Sequence, residues 1–152
     1  MNDRSFAAEF LTGPLIMPID QTVAQIAYDV VTRYIAAINA GDGRAVNETL
    51  NFPHFRIGAK GGVIHYPDSS ADHLGKFRGL TNADGWHRSV VDRMEAIYTL
   101  PTKAHVEIDF RRLRADSSVI GTYHSLYIIT ILHFNSIAHP MRYIPVLSKI
   151  SF

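Results

Sequence analysis

Residues 119–134 read Val-Ile-Gly-Thr-Tyr-His-Ser-Leu-Tyr-Ile-Ile-Thr-Ile-Leu-His-Phe, and the period of this stretch decides the fold. β-Branched and aromatic side chains dominate it, which suits a pleated surface. Successive side chains of a strand point to opposite faces. Tyr123, Tyr127, Ile129 and Ile131 therefore share one face, and Ile120, Leu126, Ile128 and Leu132 share the other. A strand apolar on both faces needs cover on both. Helices can supply one cover, and a second copy of the chain is expected to supply the other.

The neighbouring sequence extends this strand into a meander. Val90–Leu100 and Ala104–Arg114 read as strands, separated by Pro101-Thr102-Lys103 and Ala115-Asp116-Ser117-Ser118. In the second of these, Val106, Ile108 and Phe110 share a face, while His105, Glu107, Asp109 and Arg111 share the opposite one. A last strand falls within Ile137–Ile150, where Pro140 and Pro145 lack the N–H a ladder uses and so predict an edge or a bulge. Upstream, His54–Ile57 and Val63–Tyr66 flank Lys60-Gly61-Gly62 and read as a hairpin.

Before the hairpin the period changes to that of a helix. Val23, Ile26, Ala27, Val30, Val31, Tyr34, Ile35 and Ile38 form one apolar stripe. Asp20 or Thr22 can cap its start, and Gly41 suits its end. Shorter helices are predicted over Arg44–Leu50 and near Ala71–Arg78. Helices followed by a run of antiparallel strands make an α+β fold, a curved sheet with helices against one face.

A chain of 152 residues is one domain's worth, so 1–152 is read as a single domain. Its 47% apolar content excludes disorder. Charged residues reach only 19%, below the roughly 25% of an average domain, so a subunit or ligand is expected to cover part of the surface. A net charge of +1 gives no reason to expect nucleic acid or an acidic membrane as partner. The absence of cysteine excludes disulfides, thiolate metal sites and thiol nucleophiles. Residues 1–19 open with an apolar stretch that Glu9 and Pro14 interrupt and whose Asp3 cancels Arg4. They read as an irregular arm rather than a signal peptide, and a cytoplasmic location is expected.

The segment Tyr34-Ile35-Ala36-Ala37-Ile38-Asn39-Ala40-Gly41-Asp42, closing a long first helix, resembles the opening of the nuclear transport factor 2-like superfamily. That superfamily includes SnoaL-like polyketide cyclases and ketosteroid isomerases. The order of elements matches from about Thr22 to Thr130. Within it, Asn51-Phe52-Pro53-His54, Gly85-Trp86-His87 and Gly121–Tyr127 look like a subgroup of uncharacterised small proteins. The resemblance implies a cystatin-like cone with an apolar cavity between the helices and the concave sheet, and a homodimer packed through the sheet. It also implies a small hydrophobic molecule as ligand, and a choice between cofactor-independent isomerase, cyclase or dehydratase chemistry and a non-catalytic binding or dimerisation module. His133–Pro140 departs from the glycine- and tryptophan-bearing turn usual in the family, so the resemblance stops short of the C-terminal closure.

Several residues can carry chemistry in such a cone. Alternation from Val90 puts Asp92 on the face of Met94, Ala96, Tyr98 and Leu100. Burial there raises a carboxyl pKa toward the range of a general base, whereas a solvated strand end leaves it ordinary. His54 opens the first strand and is a second candidate base, or else a histidine on the rim. Trp86 and His87 can wall a pocket, and Tyr28, Tyr34, Tyr123 and Tyr127 can donate to an oxyanion or simply pack the core. His65, Asp68, Asp72 and His73 fit no metal-binding spacing, and no phosphate-cradling loop is present, so no metal or cofactor is expected. The run Arg111-Arg112-Leu113-Arg114 reads as a solvated strand end.

Overall fold

A computed structural model describes residues 18–57, 62–136 and 139–151, with side chains through Ile131. Helix α1 spans Gln21–Ala40. The Asp20 carboxylate caps it, accepting the N–H groups of Thr22 and Val23 at 2.9 and 3.1 Å. Gly41 ends it at φ 71°, a left-handed conformation that costs glycine little. The sequence stripe is its buried face: Val23, Ala27, Val30, Val31, Tyr34 and Ile38.

Helix α2 (Gly43–Glu48) leads into the hairpin β1 (His54–Ile57) and β2 (Val63–Tyr66). Helix α3 (His73–Thr81) and a single 3-10 turn at Asn82–Asp84 follow. The meander is β3 (Arg88–Leu100), β4 (Lys103–Leu113), β5 (Val119–Ser136) and β6 (His139–Ser151). All six strands form one sheet in the order β2-β1-β6-β5-β4-β3. Every neighbouring pair is antiparallel except β1 with β6. The arrangement is α+β, as the order of elements predicts.

The core lies between α1 and the inner face of β3–β5. Ala96, Ala104, Val106, Ile108, Phe110, Tyr127, Ile129 and Ile131 are all buried there. Both faces assigned to the strand from Ala104 are as alternation predicts. On β5, Leu126 and Ile128 face outward and remain half-buried.

In the sheet order β6 lies between β1 and β5, yet among the described residues its proline-bearing stretch pairs with β5 alone and is an edge there, as the prolines predict. β1 is four residues long and meets β6 only at Arg56↔Lys149 and Ile57↔Ile150. Pro140 and Pro145 fall outside that stretch, so neither is required to donate to β1. The expected irregular arm lies mostly outside the described residues; Pro18–Asp20 lead into α1 without regular structure. Among the described residues no helix is long and apolar enough to cross a membrane.

Strand β3 carries two register shifts, at Val91/Arg93 and at Ala96/Tyr98. Each inserts a residue that the partner strand does not match, and the faces exchange beyond it. Val91 pairs with inward Phe110, Arg93 with outward Asp109, and Met94 with inward Ile108. After the second shift, Tyr98 pairs with outward His105 and Thr99 with inward Ala104.

Candidate functional site

Strand β1 reverses the usual polarity of a covered strand. His54 and Arg56 point inward and are buried, while Phe55 and Ile57 face out. A polar residue survives burial only with polar company. Tyr66 comes from β2, His73 from α3, Tyr34 from α1 and Tyr127 from β5, and each of these four is at most 2% exposed.

Their rings form a continuous string. Tyr66 and His73 lie 4.8 Å apart between centroids, His54 and His73 5.6 Å, and His54 and Tyr66 5.7 Å. Tyr34 meets His73 edge-on at 5.8 Å, with its hydroxyl 3.5 Å from His73 Nε2, and meets Tyr127 at 6.0 Å. Burial raises the pKa of all three phenols, with nearby Arg56 offsetting part of the rise. Their hydroxyls therefore stay protonated at physiological pH and can act as donors.

Toward Trp86 the interior becomes aromatic. The Arg112 guanidinium lies 4.4 Å from the Tyr123 ring centre and 5.4 Å from that of Phe77. Phe77 packs edge-on against Trp86 at 5.1 Å, and Phe110 stacks on Tyr123 at 5.3 Å. Burial pulls the Arg112 guanidinium below its ordinary pKa, and Arg56 adds repulsion.

Of the residues singled out by sequence, His54, Tyr34, Tyr123 and Tyr127 face this interior. Trp86 is half-buried, with its indole N–H donated to Ser89 Oγ at 3.1 Å. The Tyr28 hydroxyl instead accepts the Ala96 N–H at 2.9 Å, tying α1 to β3 beside the second register shift. His87 is exposed, lining an outer recess of about 440 Å³ with Asn39, Arg78, Asn82 and Trp86.

Asp92 is the largest correction. Sitting at the first register shift, it is exposed and bonded to Arg111, with Oδ1 2.6 Å from the guanidinium NH2. Those hydrogen bonds hold its carboxyl below the ordinary value, opposite to the rise expected of a buried base. Alternation carried through Asp92 without the shift puts it on the wrong face.

The four residues His65, Asp68, Asp72 and His73 do not converge. His65 stacks on outward Phe55, Asp68 bonds Ser70, Asp72 caps α3 through Gly75 N–H, and His73 turns inward. Among the described residues, no group of three His, Asp or Glu side chains is placed to hold a metal ion.

Sequence reasoning missed Arg56, Tyr66, His73 and Arg112 as site residues. Arg112 was within reach, because counting by two from inward Phe110 puts it on the inner face. The reading of residues 111–114 as one solvated end overlooked that alternation: Arg111 binds Asp92 outside, while Arg112 packs on Tyr123 inside.

No family model matches the sequence, and comparison with curated proteins gives no match. Solved structures are similar in fold. A protein of unknown function with a cystatin-like fold from Nostoc punctiforme PCC 73102 superposes with a TM-score of 0.61 at 9% identity, over 90% of this chain and 96% of that one. An NTF2-like protein with a cystatin-like fold from Novosphingobium aromaticivorans gives 0.57 at 12% identity, over 86% and 82%. A Xanthomonas campestris pv. campestris protein, provisionally assigned as a polyketide cyclase, gives 0.51 at 14%, over 84% and 90%. The chain thus has the cystatin-like fold of NTF2-like proteins. At these identities the likeness concerns the fold alone.

Proposed function

We propose that this cystatin-like cone takes a small carbonyl compound between α1 and the sheet and moves a proton on it, as an isomerase, cyclase or dehydratase does. The observation that carries this reading is the buried string Tyr34–His73–Tyr66–His54, which sets two imidazoles among phenols inside the cone. An imidazole whose ordinary pKa is near 6.5 can take a proton from the carbon beside a carbonyl. Protonated phenols can donate to the oxyanion that forms, in a site largely closed to water. In this reading His54 is the base, and Tyr34, Tyr66 and Tyr127 are the donors. Phe77, Phe110, Tyr123 and Trp86 supply apolar walls for the rest of the ligand. The provisional polyketide cyclase among the structural neighbours is compatible with it.

The direct test is deuterium uptake beside the carbonyl of hydrophobic ketones, such as 2-tetralone, in heavy water, followed by proton NMR. Uptake well above the buffer rate is the expected result. Ketone binding without uptake would favour a non-catalytic binding module of the same fold.

We also propose that the protein works as a homodimer through the outer sheet face. The support is apolar surface there: Ile97 is exposed, and Leu126 and Ile128 are half-buried, among charges already partnered within the sheet. A specific interface buries roughly 1,200–2,000 Å². Light scattering at micromolar concentration should give twice the monomer mass, and a monomer would refute the dimer.

A further inference from the structure

Two arginines point into the cone, and neither has a carboxylate partner among the described residues. Arg56 is only 8% exposed, and Arg112 is half-buried. The Nε of each is buried with no hydrogen-bond partner there. The acids of the sheet are committed elsewhere: Asp92 to Arg111, and Asp109 to Arg93 and His124. Asp72, which borders Tyr66, caps α3 through the Gly75 N–H. Residues 132–152, which supply the strand beside β1, contain no Asp or Glu.

A buried cation without a counter-charge is expensive, and two that repel each other are more so. Packing on Tyr123 and Phe77 offsets part of the cost for Arg112. Such an interior is built for a negative charge.

From this we infer that the ligand carries a carboxylate, which Arg56 and Arg112 hold inside the cone while its apolar body lies along Phe77, Phe110, Tyr123 and Trp86. This deepens the small-molecule reading above and rests on it. The guanidinium fork matches a planar carboxylate with two parallel hydrogen bonds. Inorganic phosphate fits less well. The walls around Arg112 are aromatic, and the Asp72 carboxylate already fills the helix N-terminus next to His73.

Cyclohexanecarboxylate, its neutral amide and inorganic phosphate provide the test, read by thermal unfolding and by the fluorescence of Trp86, the chain's only tryptophan. The carboxylate should raise the unfolding temperature and change the fluorescence, with an apparent Kd at least tenfold below that of the amide or phosphate. In Arg112→Met that preference should vanish, while the ligand-free protein melts several degrees higher because an unpaired buried charge has gone. Arg56→Gln should lose the preference too. If amide and carboxylate bind alike, the pocket stands and the anion inference fails. Phosphate binding as tight as the carboxylate's overturns the carboxylate assignment. If none of the three binds, both the pocket and the anion inference fall.

Discussion

Replacing Ile108 by alanine is expected to lower the unfolding free energy by about 2–5 kcal/mol. Ile108 is wholly buried on β4, opposite Met94 of β3 and Ser125 of β5, within the core that α1 covers. Truncation removes the transfer free energy of three carbons and leaves a cavity that a continuous sheet cannot collapse to fill. Native proteins are stable by about 5–15 kcal/mol, so the change would consume a large share of the total. Urea titration should show the midpoint falling with the slope unchanged. The neighbouring Glu107→Ala is the internal control. Its side chain faces outward, 3.8 Å from Arg93 and 3.9 Å from His124, in exposed pairs worth at most about 1 kcal/mol. Equal shifts for the two substitutions would mean that the face assignment of β4 is wrong.

That face assignment was legible in the sequence because β4 alternates without interruption from Ala104 to Arg112. The α1 boundaries were legible for a similar reason: an Asp20 cap and a Gly41 stop bracket one stripe. Strand β3 was not, because a bulge leaves no composition mark. Val91-Asp92-Arg93-Met94 gives no residue whose chemistry announces that the period slips there. The same slip that turns Asp92 out to Arg111 leaves Met94 inward, so the sequence misled about one neighbour while being right about the next. The interior of the cone was half legible. Tyr34 lies on the helical stripe and Tyr127 on a face that alternation finds, whereas Arg56, Tyr66 and His73 sit on short elements, where period alone does not say which face is covered. Only the convergence of five elements of the fold puts them together.

The sharpest functional expectation follows from that convergence. His54→Gln and His73→Gln should each reduce deuterium uptake from a hydrophobic ketone by about 10²–10⁴-fold, the range general-base catalysis supplies. Glutamine keeps much of the imidazole's volume and a hydrogen-bonding group but cannot take a proton at neutral pH. Both substitutions should leave the circular dichroism spectrum native, so that lost activity is not lost folding. The roles of the two histidines separate by the kinetic parameter lost. His54→Gln, lacking the base, should bring uptake down to the buffer rate. His73 stands between His54 and the Tyr34 hydroxyl, as a positioning residue. His73→Gln should keep uptake above the buffer rate, with kcat lowered and KM little changed. Asp92→Asn is the counter-test, since its carboxylate lies on the opposite face of the sheet and is tied to Arg111. Its rate should stay within twofold of the unmodified protein. Loss of uptake in Asp92→Asn with retention in His54→Gln would reverse the assignment and place the chemistry on the outer face.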